Sequence, residues 1–367
     1  MTFRLHVLCD GMRTLNGQAF CFPLLQQQGA IERKGIKLRL YHDPEGSFRK
    51  GDILAVERKY CSNVSYWGEN KTHLFFKELQ NLGKPLVFFD TSDSSGRIWN
   101  SVLENVDLYI KNQLLSDRER YLSDFYDEVD YADYYSRCCS TGTPRSEPKA
   151  LVRDRAQLRK LAVGWNSGLS DHTREGRKRL RWAGLLLRRL NQRIASKFLV
   201  CPTVIQDPDI NRAIDLHCRM KLHYDPPSFS LQRRLISDRI GNIDTNKIGR
   251  KRYFSELKET WAVLSPFGYG EITLKDFESF LCGNLLIKPS MSHMDTWPPL
   301  YCPEKTYVPI QWDLSDMRAV LEDTIRNRAK YVNVVQEGQK NYTHYLNDLR
   351  KGNLFVNHFV EILNPIL

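Results

Sequence analysis

Short apolar runs alternate along the first part of the chain with longer amphipathic stretches. Leu5–Cys9, Ile36–Tyr41, Asp52–Val56, Pro85–Phe89 and Val106–Ile110 read as strands, and Leu161–Trp165 as one more. Between them, Ala19 to Arg33 and Thr72–Leu82 repeat apolar residues at helical spacing, with Pro23 near the start of the first, where proline is tolerated. Gly35 and Gly83 stop these helices. Strands alternating with helices predict a parallel sheet with both faces covered. Polar residues stand at strand ends, at Asp10, Asp90 and Lys111, the edge where open α/β sheets bind ligands. Any one of them also suits a turn or a helix cap.

The pattern then breaks. Residues 120–139 are acidic and rich in tyrosine, and STGTPRSEPK after them reads as a flexible loop. Alternation resumes with Ile214–Arg219 as a strand and Phe229–Ile240 and Tyr253–Glu259 as helices. In residues 261–289 the apolar run Trp261–Leu264 meets Ser265-Pro266 and a loop, Phe267-Gly268-Tyr269-Gly270. From Glu271 the period becomes helical, Gly283-Asn284 ends the helix, and Leu285–Ile287 is a second buried strand closed by Lys288-Pro289. A strand, Gly loop, helix and strand of about 30 residues is the size of a βαβ unit. Such a loop and helix N-terminus suit an anion, though two glycines alone fit a tight turn equally well. Tyr307–Trp312 reads as a last strand. Asp316–Arg328 with Ser315 as N-cap, Gln339–Leu349 and Phe355–Leu363 read as the closing helices.

Length and charge narrow the picture. The 367 residues suggest two domains, and a net charge of +11 favours an anionic partner such as a nucleotide, a nucleic acid or an anionic membrane. No secretory h-region opens the sequence and no apolar run is long enough to span a bilayer, so a cytoplasmic protein is expected. The nine cysteines, with Cys138-Cys139 adjacent, show no zinc-ligand spacing and fit a reducing compartment. Positive charge concentrates in residues 174–197, nine cations against Glu175. Trp182, Leu185, Leu186, Leu187, Leu190 and Ile194 form the other side of that helix. It suits an anionic membrane surface, or an inter-domain helix whose apolar side packs on protein. A nucleic-acid role has no accompanying motif, so no nucleic-acid partner is expected.

The chemistry expected at the edge of the second half is recognition of phosphate. Arg219 and Lys288 at strand ends, with the amides of residues 267–272, would meet the charge. Glu278, a helical turn inside, would accept hydrogen bonds from ribose hydroxyls. Glu271 lies near the helix N-terminus, where the dipole favours an acid even without a ligand. Transfer from a phosphate leaving group also asks for a base, for which Asp10 is the first choice and Asp90 the second. The sequence holds no metal-binding pair near a strand end and no P-loop, which points to stabilisation by cations and amides, without a metal or cofactor.

Four segments together resemble a known family: Ser265–Glu271, Lys275–Glu278, Leu286–Pro289 and Trp312–Asp316. They are similar to the Ser-Pro-aromatic-Gly-aromatic-Gly-Glu run, the basic-Asp-aromatic-Glu helix, the Leu-Ile-Lys-Pro strand end and the Trp-Asp-x-x-Asp segment of bacterial GT-B glycosyltransferases of surface-polysaccharide loci. The resemblance covers roughly residues 205–345. It is looser over 3–115, where LCDGMRTLNGQAFCFPL and VDLYIKNQLLSD resemble the acceptor domain. It implies a GT-B-like α/β chain of two Rossmann-like domains facing a cleft: an acceptor domain over 1–200, a nucleotide-sugar donor domain over 201–340, and helices in 341–367 that return to the first. It also implies metal-independent transfer to a glycan or lipid-linked glycan, with Arg219, Gly268, Tyr269, Gly270, Glu278 and Lys288 at the donor and Asp10 and Glu271 in catalysis. The chain departs from the paired glutamates of many retaining members. Counting back from Glu278, the first falls on Gly270, and Glu271 is one place late. A non-catalytic nucleotide- or glycan-binding protein of the same fold is the alternative reading.

Overall fold

The structure, a computed structural model, describes residues 2–64, 68–138 and 147–367. Cys139 and most of the loop expected after it, 140–146, lie outside the described residues. In the first half the strands are β1 (Phe3–Leu8), β2 (Ile36–Tyr41), β3 (Ile53–Glu57), β4 (Leu86–Asp90), β5 (Leu108–Lys111), β6 (Gln113–Leu115), β7 (Asp124–Phe125), β8 (Lys149–Ala150) and β9 (Leu161–Val163). Its helices are α1 (Leu15–Gln26), α2 (Gln28–Arg33), α3 (Glu69–Gln80), α4 (Asn100–Leu103), α5 (Asp130–Cys138), α6 (Arg174–Arg189) and α7 (Gln192–Ser196). A six-stranded sheet of order β2-β1-β3-β4-β5-β9 is parallel throughout. The apolar strands follow from this arrangement, because side chains alternate across a sheet that is covered twice. In β4, Val87 and Phe89 join one core with α1, while Leu86 and Phe88 join the other with α3 and α4.

The second half is built from β10 (Ile214–His217), β11 (Thr260–Leu264), β12 (Leu285–Pro289), β13 (Met294–Thr296) and β14 (Val308–Ile310). Its helices are α8 (Leu231–Arg239), α9 (Arg250–Lys258), α10 (Leu274–Leu281), α11 (Met317–Arg326), α12 (Arg328–Lys351) and α13 (Leu354–Leu363). Four parallel strands, in the order β10-β11-β12-β14, make its sheet. The chain is therefore α/β, with two parallel-sheet units. An antiparallel ribbon of β6 and β13 ties the two halves together. The long helix α12 does so as well. Its Val334 and Val335 pack on the second sheet, Tyr342 and Leu346 beneath α10, and Leu349 in the first core. It delivers α13, whose Phe355, Val356 and Phe359 complete that first core beside Trp165.

The elements differ from the sequence expectation at several places, among them the basic stretch 174–197, which is not one helix but α6 and α7, broken at Leu190-Asn191. Helix α1 starts at Leu15, because Thr14 accepts a hydrogen bond from Gly17 N at 3.0 Å and nucleates the turn; Pro23 thus lies well inside the helix. Helix α12 begins at Arg328 and is 24 residues long, where only Gln339–Leu349 carried a clear pattern. The tyrosine-rich stretch contains α5, whose Tyr131 and Tyr135 are buried against the second half.

Candidate functional site

The carboxyl edges of the two sheets meet at a cleft of about 390 Å³, lined by Asn16, Asp93 and His172 from one side and Tyr224, Arg233 and Gly268–Gly270 from the other. The loop after β11 is held from both halves. Gln232 and Arg233, consecutive on the buried side of α8, grip its backbone. The Gln232 side-chain Oε1 accepts from Phe267 N at 2.8 Å, and the Arg233 guanidinium donates to the backbone carbonyls of Phe267 and Pro266. From the first half, Tyr131 donates to Gly268 O at 2.5 Å. Gly270 lies so close to the carbonyl of Asp93 that a Cβ would stand 1.6 Å from its oxygen, so the residue must be glycine in this arrangement. Tyr269, 45% exposed, sets its ring edge-on to Tyr224 at 4.6 Å.

Behind this loop lies an excess of positive charge. Lys288, fully buried, reaches Asp276 at 3.2 Å and donates to Ser265 O at 3.2 Å. Arg233 is buried above it and Lys275 partly so. All three have depressed pKa values, Lys275 down to about 8, in each case first because of burial; the charge of Arg233 lowers both lysines further. Asp276 is the acid that acts on all three. It is already committed, accepting from Ser265 Oγ at 2.5 Å, Thr273 Oγ1 at 2.9 Å and Tyr301 Oη at 2.8 Å. It also caps α10 by accepting from Thr273 N at 3.1 Å. The helix thus begins three residues after Glu271 with its cap made by its own side chains, Thr273 and Asp276.

The remaining expected residues are not all gathered here. Gly268, Tyr269 and Gly270 line the cleft, and Lys288 lies beneath them. Glu271 is buried at the contact of the two halves, accepting from Ser95 Oγ at 2.6 Å and Ser95 N at 3.0 Å, with His293 Nε2 3.7 Å away. Burial raises its pKa, but His293 and Ser95 together hold it below the ordinary glutamate value. Glu278 is buried one turn along and accepts from Arg250 at 2.7 Å. Arg219 is not brought to the cleft. It pairs with Glu256 at 3.0 Å and with Asp244, because its strand end turns it towards α9. Asp10 is fully buried and spends its carboxylate on its own loop, accepting from Met12 N at 2.7 Å, Thr14 N at 2.8 Å and Thr14 Oγ1 at 2.6 Å. Asp90 is buried between Arg58 at 3.0 Å and Lys111 at 3.1 Å, which hold it well below the usual carboxylate range despite its burial.

Sequence reasoning did not single out Arg233, Asp93 or His172. Asp93, exposed, accepts from Asn16 Nδ2 at 2.8 Å. His172 donates Nε2–H to Ser167 O at 2.8 Å, its Nδ1 has no partner among the described residues, and burial lowers its pKa to about 4, so the neutral ring offers an acceptor. No signal in LQRRLISDRI separates Arg233 from Arg234 except helical phase.

Between Asp10 and Asp90, at the end of β3, Glu57 is fully buried, with its Oε2 unpartnered among the described residues. Burial and the nearby charge of Asp10 push its pKa up to about 8 from an ordinary 4.5. The folded protein therefore holds a proton that the unfolded chain releases. Stability is expected to fall as pH rises through that interval, by up to about 1.4 kcal/mol per pH unit, and to level off above it. Glu57→Gln should flatten the dependence in urea unfolding at a series of pH values; an unchanged slope would assign the proton elsewhere.

No protein-family model and no curated protein matches the chain. Solved structures do match over nearly its whole length, at low scores. An alpha-glucosyltransferase in complex with UDP-glucose and DNA containing an abasic site is 9% identical, covering 99% of this chain and 100% of that one, with a TM-score of 0.40. The Anabaena protein HepE in complex with UDP-glucose is 10% identical over 98% of this chain and 100% of that one, with a TM-score of 0.42. Sucrose-phosphate synthase from Thermosynechococcus elongatus is 11% identical over 98% and 100%, with a TM-score of 0.44. The fold itself stands on the strand order and register described above.

Proposed function

We propose that the protein is a glycosyltransferase of the GT-B kind, moving a sugar from a nucleotide-sugar to a glycan or lipid-linked glycan in surface-polysaccharide synthesis. The observation that supports this best is the unbalanced positive charge of Arg233, Lys275 and Lys288 behind a cleft-lining loop, with Asp276 as the acid among them. Buried like charges are costly unless compensated, and a diphosphate supplies the missing anion. In transfer, the bond from the anomeric carbon to the phosphate oxygen breaks and the bond to the acceptor hydroxyl oxygen forms. The nucleoside diphosphate leaves onto the cations. The hydroxyl proton goes to a cleft carboxylate, for which Asp93 is better placed than the committed Asp10. Gly268, Tyr269 and Gly270 shape the donor pocket, Glu278 and Lys288 support it, and no metal or cofactor is required. No helix among the described residues is long and apolar enough to cross a membrane. The proposal places the protein in the cytoplasm, in contact with the inner membrane face through residues 174–197.

Calorimetric titration with a panel of nucleoside diphosphates near pH 8 tests the site. Lys275, about half neutral there, should regain its proton beside the diphosphate, so binding should take up as much as about half a proton. The uptake shows as a dependence of binding heat on the ionisation heat of the buffer. Failure of every nucleotide to bind would sink the donor-site reading, and binding without uptake would move the phosphates away from Lys275. Hydrolysis of a sugar-nucleotide by the protein separates an enzyme from a protein that only binds.

A further inference from the structure

Helix α6 presents two different faces. Leu180, Ala183 and Leu187 pack inward on the first core. The outward face carries Trp182, 62% exposed, with Leu185 exposed beside it and Leu190, 59% exposed, just past the helix end. An inter-domain helix would have buried these side chains. Cations surround them: Lys178, Arg181 and Arg189 on α6, and Arg193 and Lys197 on and after α7, are all exposed. Of these, Lys178 pairs with Glu175 at 3.1 Å.

Beside this face lies a groove of about 580 Å³ between α6–α7 and the edge strand β2. Gln192 builds it by closing the open edge of the sheet. Its amide donates to Leu38 O at 2.8 Å and accepts from Leu40 N at 2.9 Å, as an edge strand requires. Lys37, Arg39, Arg188 and Arg193 line the groove, with His42, against the single acid Glu32. Arg188 also donates to Gly11 O, so the groove lies one loop away from Asp10 and the start of α1, whose Leu15 and Asn16 line the cleft.

We infer that α6, α7 and the edge of β2 form a docking surface for an anionic phospholipid bilayer: Trp182, Leu185 and Leu190 enter the interface, and the basic groove takes a lipid headgroup phosphate. Apolar side chains ringed by cations match the two layers of such a membrane, the acyl boundary and the phosphate plane. A protein partner would not call for so many uncompensated cations at its rim. The inference rests on this surface alone and holds whether or not the cleft transfers sugar.

Flotation with phosphatidylcholine vesicles, with and without phosphatidylglycerol, tests it. The whole protein should float with the anionic vesicles only. Arg39→Glu combined with Arg193→Glu should weaken binding about tenfold or more. Trp182→Ser with Leu190→Ser should weaken it severalfold. All four positions are exposed, and thermal melts check that the variants fold. Independently, anionic vesicles should shift the tryptophan emission of the wild type to shorter wavelength, and Trp182→Phe should lose most of that shift. Three results would each overturn the inference: no flotation of the wild type, equal binding to neutral vesicles, or wild-type binding by both double variants. Tighter binding to a single-stranded polynucleotide than to the anionic vesicles, unchanged by Trp182→Ser with Leu190→Ser, would overturn it too, assigning the surface to nucleic acid.

Discussion

Arg233→Ala should lower sugar transfer by about 10²- to 10³-fold, the range for loss of one preorganised electrostatic contact at a developing charge. Arg233 combines three properties that no other cation of the site shares: it is buried, it lines the cleft, and it holds the loop. Its guanidinium reaches the carbonyls of Phe267 and Pro266, and Lys221 O at 3.2 Å, while its plane lies over Tyr224 at 5.0 Å. The residue therefore fixes the loop and offers charge to a leaving phosphate at once. Arg233→Lys keeps the charge but not the fork, and should recover only part of the rate. Arg234→Ala, its neighbour in sequence but not on the same helix face, should leave the rate near wild type. Transfer or donor hydrolysis followed as kcat and KM decides. Full turnover in Arg233→Ala would remove it from the site, and a loss confined to KM would leave it as a ground-state contact only.

How far this site could be read from sequence depends on what each residue type encodes. The strands were legible because a sheet covered on both faces needs continuous apolar runs. The loop at 265–270 was legible because Pro266 cannot continue a strand and Gly268 and Gly270 weaken one. An acid after a strand, however, reads the same whether it faces a ligand or caps its own loop, and Asp10 does the second through Met12 and Thr14. Arg219 was placed by its strand end alone, yet its partner Glu256 is 37 residues away, on a helix whose packing the local pattern does not fix. Arg233 and His172 depend on how the helices and the crossing segment dock, so their burial is a property of tertiary structure. The same holds for the exposure of Trp182: period marks an apolar side, but only packing shows that Leu180, Ala183 and Leu187 suffice to attach the helix.

The pair Lys288–Asp276 should show an asymmetry that distinguishes an anion site from an ordinary buried ion pair. In an ordinary pair, removing either partner strands the other, at a cost of about 3–5 kcal/mol. Here the two ends are not equivalent. Without Lys288, Asp276 keeps donors from Ser265, Tyr301 and both the amide and hydroxyl of Thr273. Lys288→Met should therefore cost only about 1.5–3 kcal/mol, the scale of a hydrogen bond to a charged group. Without Asp276, Lys288 keeps Ser265 O as its one hydrogen-bond acceptor among the described residues and stands fully buried near Arg233. Asp276→Ala should thus reach the upper end, about 5 kcal/mol, since it also removes the cap of α10. The two variants should also respond oppositely to ligand. A nucleoside diphosphate should restore more stability to Asp276→Ala than to wild type, because it replaces the missing negative charge, and less to Lys288→Met, which has lost a cation. Urea unfolding of the three proteins, with and without nucleotide, measures both orders. Equal costs and equal nucleotide stabilisation would make the pair a structural ion pair, and would withdraw Lys288 from the cradle proposed for the leaving phosphate.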